Sequence, residues 1–279
     1  MRVRTLCGCA AAGLLAIALG CGGGQETKAP EGQPGGAEGA AWKPTGDEGN
    51  VRGKIAFAGQ APKMRPISMD ADAVCAKKAG QVTPEVVVVN GNGTLRNVFV
   101  YVKSGLEGKN FEVPADAVTL DQDGCVYKPH VVGIHARQQL RVTTYDDTTH
   151  NIHPMPKVNR EWNVSQPPKA DPIMQTFARP ETSIPVKCNQ HPWMKAFIHV
   201  VGHPFYAVTG EDGSFEIKGL PPGSYELEAV HEQYGAQTQK VTVAAKGDAT
   251  ADFSYKSDQA YRPSSLKTMP ALVLRCCEK

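Results

Sequence analysis

The sequence lacks an excess of charge of either sign, since 30 lysines and arginines stand against 28 aspartates and glutamates in 279 residues. Proteins that bind nucleic acid usually carry a clustered basic face. The balance therefore argues against a nucleic-acid partner. Long hydrophobic runs are missing as well, because the apolar stretch at residues 10–19 is shorter than the roughly 20 residues that a transmembrane helix needs.

Long segments with a helical period are also missing from the sequence. Only the stretch around residues 69–80 could supply a short helix. By contrast, 28 glycines and 21 prolines separate many short runs rich in valine, isoleucine, phenylalanine and tyrosine. Short β-prone runs between turn residues are typical of sandwiches. We therefore predict an all-β fold.

The first residues have the form of an export signal. Arg2 and Arg4 precede the apolar stretch, which ends in small residues and Gly20-Cys21. Residues 1–21 resemble a bacterial lipoprotein signal, which implies that Cys21 carries the lipid. We expect an exported, membrane-anchored lipoprotein that faces the periplasm or the cell exterior. An ordinary signal peptide is the alternative, and it also implies export.

Two segments are predicted to lie outside the folded body. Residues 22–50 are mostly glycine, proline, alanine and charged residues, which cannot bury enough apolar surface to fold. They are interpreted as a disordered tether. Residues 257–279 are interpreted as a C-terminal tail.

Five cysteines remain once those of the first 21 residues are set aside: Cys75, Cys125, Cys188, Cys276 and Cys277. Unpaired thiols are unusual in an oxidising compartment. A structural disulfide between Cys75 and Cys125 is a reasonable hypothesis, although sequence alone cannot establish a pairing.

Residues 209–230 combine a predicted hairpin turn at Asp212-Gly213, a strand, a Pro-Pro-Gly turn and a second strand. This segment resembles the carboxypeptidase regulatory-like domain, a small immunoglobulin- or prealbumin-like sandwich. About fifty residues are too few for the roughly seven strands of such a sandwich. We predict a discontinuous domain of residues 51–108 and 204–256, interrupted by residues 109–203. A tandem of two unrelated β units is the alternative.

The interrupting segment contains the stretch CNQHPWM, residues 188–194, in which Cys188, His191 and Met194 are closely spaced. Taken alone, it could be a buried loop, a zinc-binding remnant or part of a copper site. An earlier strand adds His150-Asn151. Two imidazoles, one thiolate and a weak thioether suit copper, whereas zinc has little use for a thioether.

The order of these residues resembles that of the cupredoxins, in which an early His-Asn segment precedes a late loop with cysteine, histidine and methionine. The resemblance implies a Greek-key sandwich for residues 109–203 and one type-1 copper. By matched position, His150, Cys188 and His191 would be the strong ligands, with Met194 as the axial ligand.

The resemblance also implies roles for neighbouring residues. Asn151 would fix the ligand loop near the thiolate, and His153 is a further candidate close to the metal. His191 would lie at the solvent edge, where Pro192 and Trp193 would form an apolar patch for partner docking.

We therefore expect an extracytoplasmic copper protein that transfers single electrons to or from a redox partner protein. No acid–base or nucleophile constellation is visible in the sequence, so an enzyme is not expected. Two alternatives remain at this stage: a sandwich that binds carbohydrate or another surface partner, and a protein that binds or stores copper without transferring electrons.

Overall fold

A computed structural model describes residues 41–78 and 82–258. The predicted signal, the lipid attachment at Cys21, most of the predicted tether, and Cys276 and Cys277 lie outside the described residues. Within the described part, no helix is both long and apolar enough to cross a membrane. The predicted all-β fold is confirmed, because strands and turns account for nearly all of the regular structure.

The regular elements of the described residues are one helix and seventeen strands. In chain order they are β1 (Gly49–Ala58), α1 (Ala73–Lys78), β2 (Phe99–Ser104), β3 (Val118–Gln122), β4 (Tyr127–Lys128), β5 (Val131–His135), β6 (Gln139–Thr144), β7 (His150–Pro154), β8 (Val164–Gln166), β9 (Ile173–Thr176), β10 (Glu181–Lys187), β11 (Lys195–Val201), β12 (Tyr206–Val208), β13 (Ser214–Leu220), β14 (Gly223–His231), β15 (Gly235–Val243), β16 (Asp248–Thr250) and β17 (Phe253–Lys256).

The first and last strands form two sheets that share one core. In one sheet β1 pairs antiparallel with β13 and parallel with both β16 and β17. In the other the strand order is β12-β2-β14-β15. Alternate residues of these strands point inward, and Val51, Ile55, Leu227 and Tyr255 are fully buried in the shared core.

The turn at Asp212-Gly213 does not close the predicted hairpin. It lies between β12 and β13, which belong to different sheets. Gly213 has a φ of 66°, and a Cβ there would lie 2.2 Å from the Cβ of Thr94. The turn therefore carries the chain across the sandwich at a position that only glycine fits.

The strands between β2 and β12 form a second pair of sheets. One has the order β5-β11-β10-β7-β8, and the other has the order β4-β3-β6-β9. The pairs β5–β11 and β3–β6 are parallel, so this part is a mixed rather than a purely antiparallel sandwich. Its separate core includes Leu120, Leu140, Ile152, Ile184 and Ile198, all at most 1% exposed.

The two sandwiches meet through a small apolar cluster. Phe99 of β2, Val131 of β5 and Val201 of β11 are buried together. The ring of Phe99 stacks on that of His199 with centroids 4.3 Å apart. At Gly133 a Cβ would lie 2.4 Å from the ring of Tyr206, so the absence of a side chain allows this close approach.

The folded part begins earlier than the predicted tether allows. The backbone N–H of Trp42 donates to the carbonyl of Asn110 at 2.6 Å. Its ring packs on Phe111 and Phe205, with centroids 5.6 and 6.1 Å away. Residues 22–50 are therefore not all tether. The ring of Trp42 buries enough apolar surface to anchor this otherwise polar segment.

Three buried histidines predict a pH dependence of stability. Burial lowers the pKa of His199 to about 3 and those of His203 and His231 to about 4. An unfolded histidine has a pKa of about 6.5, so the unfolded chain takes up protons first as the pH falls. The contribution of these three histidines to stability should be complete above about pH 6.5 and decrease from there towards pH 4.

A single such histidine lowers the free energy of unfolding by about 2 kcal/mol when the pH falls from 7 to 5. We expect the free energy of unfolding in urea to fall by at least about that amount in metal-free protein. His203→Gln should reduce this fall by about 2 kcal/mol, and it should differ from wild type by a constant amount between pH 7 and pH 8. An unchanged slope in the variant would contradict the assignment.

Candidate metal centre

The loop after β10 places Cys188 on the inner face of its sandwich. Ile184, Val186 and Cys188 alternate along the chain and are 1%, 2% and 1% exposed. The backbone then turns back, since the N–H of Met194 donates to the carbonyl of His191 and the N–H of Cys188 donates to that of Met194. Met194 is fully buried in the same core as Cys188. The loop thus returns to the core with both sulfur atoms inside.

His150, Cys188 and His191 bring three metal-binding atoms together. His150 begins β7, which pairs with β10. Its Nδ1 lies 2.9 Å from Nδ1 of His191, and Sγ of Cys188 lies 3.7 Å from the latter. The ligand atoms of the three residues lie within 4.8 Å of one another, and all three side chains are buried.

Asn151 links the two segments that carry the metal-binding atoms. Its Oδ1 accepts the backbone N–H of Asn189 at 2.7 Å and lies 3.3 Å from Sγ of Cys188. Its own backbone N–H points at the same sulfur at 3.5 Å. The amide Nδ2 is held by Oδ1 of Asn163. Asn151 therefore lies against the sulfur of Cys188.

A buried carboxylate orients His150. Oδ2 of Asp146 lies 2.9 Å from Nε2 of His150, and both side chains are fully buried. The carboxylate also accepts the backbone N–H groups of Gly124 and Cys125 at 2.9 and 2.8 Å. With Nε2–H donated to Asp146, Nδ1 of His150 is left free to bind a metal.

A second carboxylate faces His191. Oδ2 of Asp72 lies 3.3 Å from Nε2 of His191 and accepts the hydroxyl of Thr148 at 2.9 Å. Its Oδ1 accepts the backbone N–H groups of Val74 and Cys75 at the start of α1. We call residues 67–78, which carry Asp72, the capping loop.

The capping loop covers His191, so the expected solvent-edge position of this residue is wrong. His191 is only 4% exposed. Cys75 of the loop forms a disulfide with Cys125, and its sulfur lies 3.8 Å from Nε2 of His191. Met69 and Trp193 join a small core around this disulfide. A segment 119 residues away in sequence thus shields the imidazole from water.

The remaining predicted residues lie outside the group of metal-binding atoms. His153 bonds Oδ1 of Asn189 at 3.1 Å and Oε1 of Glu161 at 2.6 Å. Trp193 is half-buried and donates its Nε1–H to the carbonyl of Cys125 at 3.0 Å. Pro192 is exposed. Pro192 and Trp193 line a groove of about 270 Å³ beside the centre.

The carboxylates and the thiol change the acid–base properties of the centre. Burial disfavours the charged form of His150, but Asp146 and Cys188 outweigh it and raise the pKa of His150 to about 9. Burial also opposes ionisation of Cys188, yet the hydrogen bond from His150 and the N–H groups around the sulfur lower the pKa of this thiol. The Cys75 N–H is the largest influence on Asp72, and with Thr148, His191 and Val74 it lowers the pKa of Asp72 to about 2. Without metal the centre therefore favours the protonated form of His150 and the ionised form of Cys188 more than the same side chains in water would.

The donor set fits a copper ion. Nitrogen and sulfur ligands bind metals of this kind at about 2.0–2.3 Å, so atoms 2.9 and 3.7 Å apart can converge on one ion. Two imidazoles, one thiolate and a buried thioether are typical of a blue-copper set. The three grouped residues, His150, Cys188 and His191, therefore fit a copper ion.

One family matches part of the chain: the carboxypeptidase regulatory-like domain matches residues 189–256. The match begins inside the loop between β10 and β11, which carries Cys188 and His191, and includes β11, which pairs with β10 and β5. No curated protein matches the sequence.

Several solved structures resemble part of the chain. A copper-containing nitrite reductase from Thermus scotoductus SA-01 is 20% identical over 35% of this chain, with a TM-score of 0.27. The alignment spans a quarter of the reductase (25%). A purple cupredoxin from Nitrosopumilus maritimus is 18% identical over 31% of this chain and its own full length (100%), with a TM-score of 0.27. A reduced amicyanin mutant is 20% identical over 37% of this chain and 98% of its own length, also with a TM-score of 0.27.

The sequence prediction missed both carboxylates. Asp146 lies four residues before His150 and two residues after β6 ends, and could have been considered for that closeness. Asp72 has a local signal only for its role at the start of α1, where aspartate is a preferred capping residue. Nothing near it in the sequence indicates contact with His191.

Proposed function

We propose that this chain is an extracytoplasmic type-1 copper protein that transfers single electrons between redox partners. The observation that supports this most directly is the convergence of His150, Cys188 and His191 in one buried group. In the proposal these residues bind the ion strongly, and Met194 supplies a weak axial contact. A bound copper would supply a one-electron couple.

The protein contributes rigidity and exclusion of water to this function. The three strong ligands are 0%, 1% and 4% exposed, so a substrate has no direct access to them. Asn151 and the two carboxylates hold them at fixed positions through hydrogen bonds. Such a buried, pre-arranged site suits electron exchange better than substrate chemistry, so the proposal includes no enzymatic activity.

In the proposal, the metal centre belongs to a copper domain that is inserted into the chain of a second sandwich. Residues 51–108 and 204–256 would form the regulatory-like sandwich, and residues 109–203 the cupredoxin-like insert. The separate cores of the two sandwiches support this division. The capping loop is an addition to it, because it leaves the first segment and packs on the insert.

Export and membrane anchoring through Cys21 are part of the same proposal. A disulfide between Cys75 and Cys125 supports it, since stable disulfides form in oxidising compartments. We propose attachment to the outer face of a membrane, in the periplasm or at the cell exterior.

The redox partner would dock beside the capping loop rather than over His191. The groove next to the centre is lined by Pro192, Trp193 and Tyr127, among others. The ring of Trp193 lies 5.0 Å from that of His191, so the groove reaches the immediate neighbourhood of the ligand. Its exposed proline and half-buried tryptophan offer an apolar contact surface.

Copper titration with absorption and EPR spectroscopy tests the proposed function. One equivalent of Cu(II) should give an intense visible band from thiolate charge transfer, and ascorbate should bleach it reversibly. Stoichiometric Cu(II) without that band, or a colourless zinc form isolated from cells, would overturn the proposal. Copper that is lost on each reduction would instead favour storage over electron transfer.

A further inference from the structure

We propose that Asp72, presented by the disulfide-tied capping loop, is a positioning residue that holds His191 as a metal ligand and favours the oxidised metal. This inference rests on the proposed function. It adds a residue that the ligand pattern in the sequence does not contain.

The two ring nitrogens of His191 face different partners. Its Nδ1 faces Nδ1 of His150 at 2.9 Å and Sγ of Cys188 at 3.7 Å. Its other nitrogen, Nε2, faces Asp72 at 3.3 Å. An imidazole that donates Nε2–H to a carboxylate presents an unprotonated Nδ1, and its orientation is fixed. Asp72 therefore selects the tautomer that a metal at the centre requires.

Asp72 is itself held firmly enough to impose this orientation. Its carboxylate accepts the N–H groups of Val74 and Cys75 at 2.8 and 2.9 Å and the hydroxyl of Thr148 at 2.9 Å. Thr148 lies just before β7, which begins with His150. The capping loop is therefore tied by hydrogen bonds to the segment that supplies the other imidazole.

One disulfide links the two backbone segments that hold the carboxylates facing the two imidazoles. The N–H of Cys75 donates to Asp72, and the N–H of Cys125 donates to Asp146. Asp146 faces Nε2 of His150, as Asp72 faces Nε2 of His191. The Cys75–Cys125 bond thus joins the two backbone segments that hold the two carboxylates. A loop tied in this way has less freedom to move away from His191.

The negative charge of Asp72 should favour one oxidation state of the metal over the other. A carboxylate hydrogen-bonded to a ligand imidazole makes that imidazole a stronger electron donor. A stronger donor and a nearby negative charge stabilise Cu(II) more than Cu(I). Removal of Asp72 should therefore weaken Cu(II) binding more than Cu(I) binding.

The test compares Asp72→Asn and Asp72→Ser with wild type as copper-loaded full-length protein. Both replacements retain an oxygen that can cap α1, so folding is expected to survive. Asp70→Asn is the matched control, because Asp70 lies on the same loop, is exposed and accepts a hydrogen bond from Ser68 rather than from the residues around the metal centre that the structure describes. Affinities for Cu(II) and Cu(I) are measured by chelator competition, and the reduction potential by redox titration.

We expect Cu(II) affinity in both Asp72 variants to fall by roughly 10-fold relative to Cu(I) affinity. Mutation of a residue that hydrogen-bonds a metal ligand typically lowers metal affinity by about 10–100-fold. A 10-fold change corresponds to an increase of about 59 mV in the potential of a one-electron couple. Asp70→Asn should stay at the wild-type potential. Asp72 variants that bind copper with the visible band and an unchanged potential overturn this inference while leaving the proposed function intact. A wild-type protein without the band overturns the proposed function itself, and this inference with it.

Discussion

Cys188→Ser is expected to abolish the intense visible absorption of the Cu(II)-loaded protein and to lower its Cu(II) affinity by more than about 100-fold. The band requires a thiolate, and Cys188 is the free cysteine of the described residues. Its sulfur lies in the core and 3.7 Å from Nδ1 of His191. Loss of a ligand should exceed the 10–100-fold that is typical for loss of a ligand's hydrogen-bond partner.

The control for this prediction is Lys187→Ser, one residue earlier on the other face of β10. Lys187 is half-buried and has no place in the group of metal-binding atoms. We expect this variant to keep the band and the stoichiometry of wild type. The measurements are a Cu(II) titration followed by absorption and EPR, and chelator competition for the affinity. Colour that persists in Cys188→Ser would disprove the ligand assignment.

Replacement of both Cys75 and Cys125 by alanine is expected to lower the free energy of unfolding by about 4 kcal/mol. The disulfide closes a loop with a sequence separation of 50 residues. In the chain-entropy model, a crosslink of this length removes about that amount of free energy from the unfolded state. Both residues are fully buried, so small cavities add to the loss.

The measurement is urea unfolding of metal-free protein, because a bound metal would add its own stabilisation to the result. A reductant should lower the stability of wild type towards that of the double variant and leave the variant unchanged. A loss below about 1 kcal/mol would show that the loop closure contributes little. The same variant should also expose His191, because the capping loop then loses its covalent tie and is held by its hydrogen bonds and by the packing of Met69.

The fold class was accessible from local patterns. The burial of Ile184, Val186 and Cys188 follows from local alternation, because side-chain direction in a strand has a period of two. The short helix at Ala73–Lys78 lies within the stretch that was named for it. The turn at Gly213 was also visible, but its role was misjudged, because turn chemistry does not say whether the flanking strands share a sheet.

Sequence patterns also failed at Trp42 and at His191. The composition around Trp42 predicts a tether, yet one aromatic ring on Phe111 and Phe205 is enough to anchor the segment. The resemblance to the cupredoxins implied that His191 lies at the solvent edge, but the capping loop covers this histidine. Both errors have the same cause, since burial depends on what packs on a residue from elsewhere in the chain.

The sequence by itself determined the all-β class, because strand alternation is a local property. Its resemblance to the cupredoxins supplied the candidate metal ligands, His150, Cys188, His191 and Met194, whose chemistry suits copper. Only the tertiary structure decided that Asp72 and Asp146 face the two imidazoles, that Cys75 pairs with Cys125, and that His191 is buried. Asp72 and His191 are 119 residues apart. Contacts at such a separation arise from how the sheets and loops pack, and no periodicity along the chain encodes them.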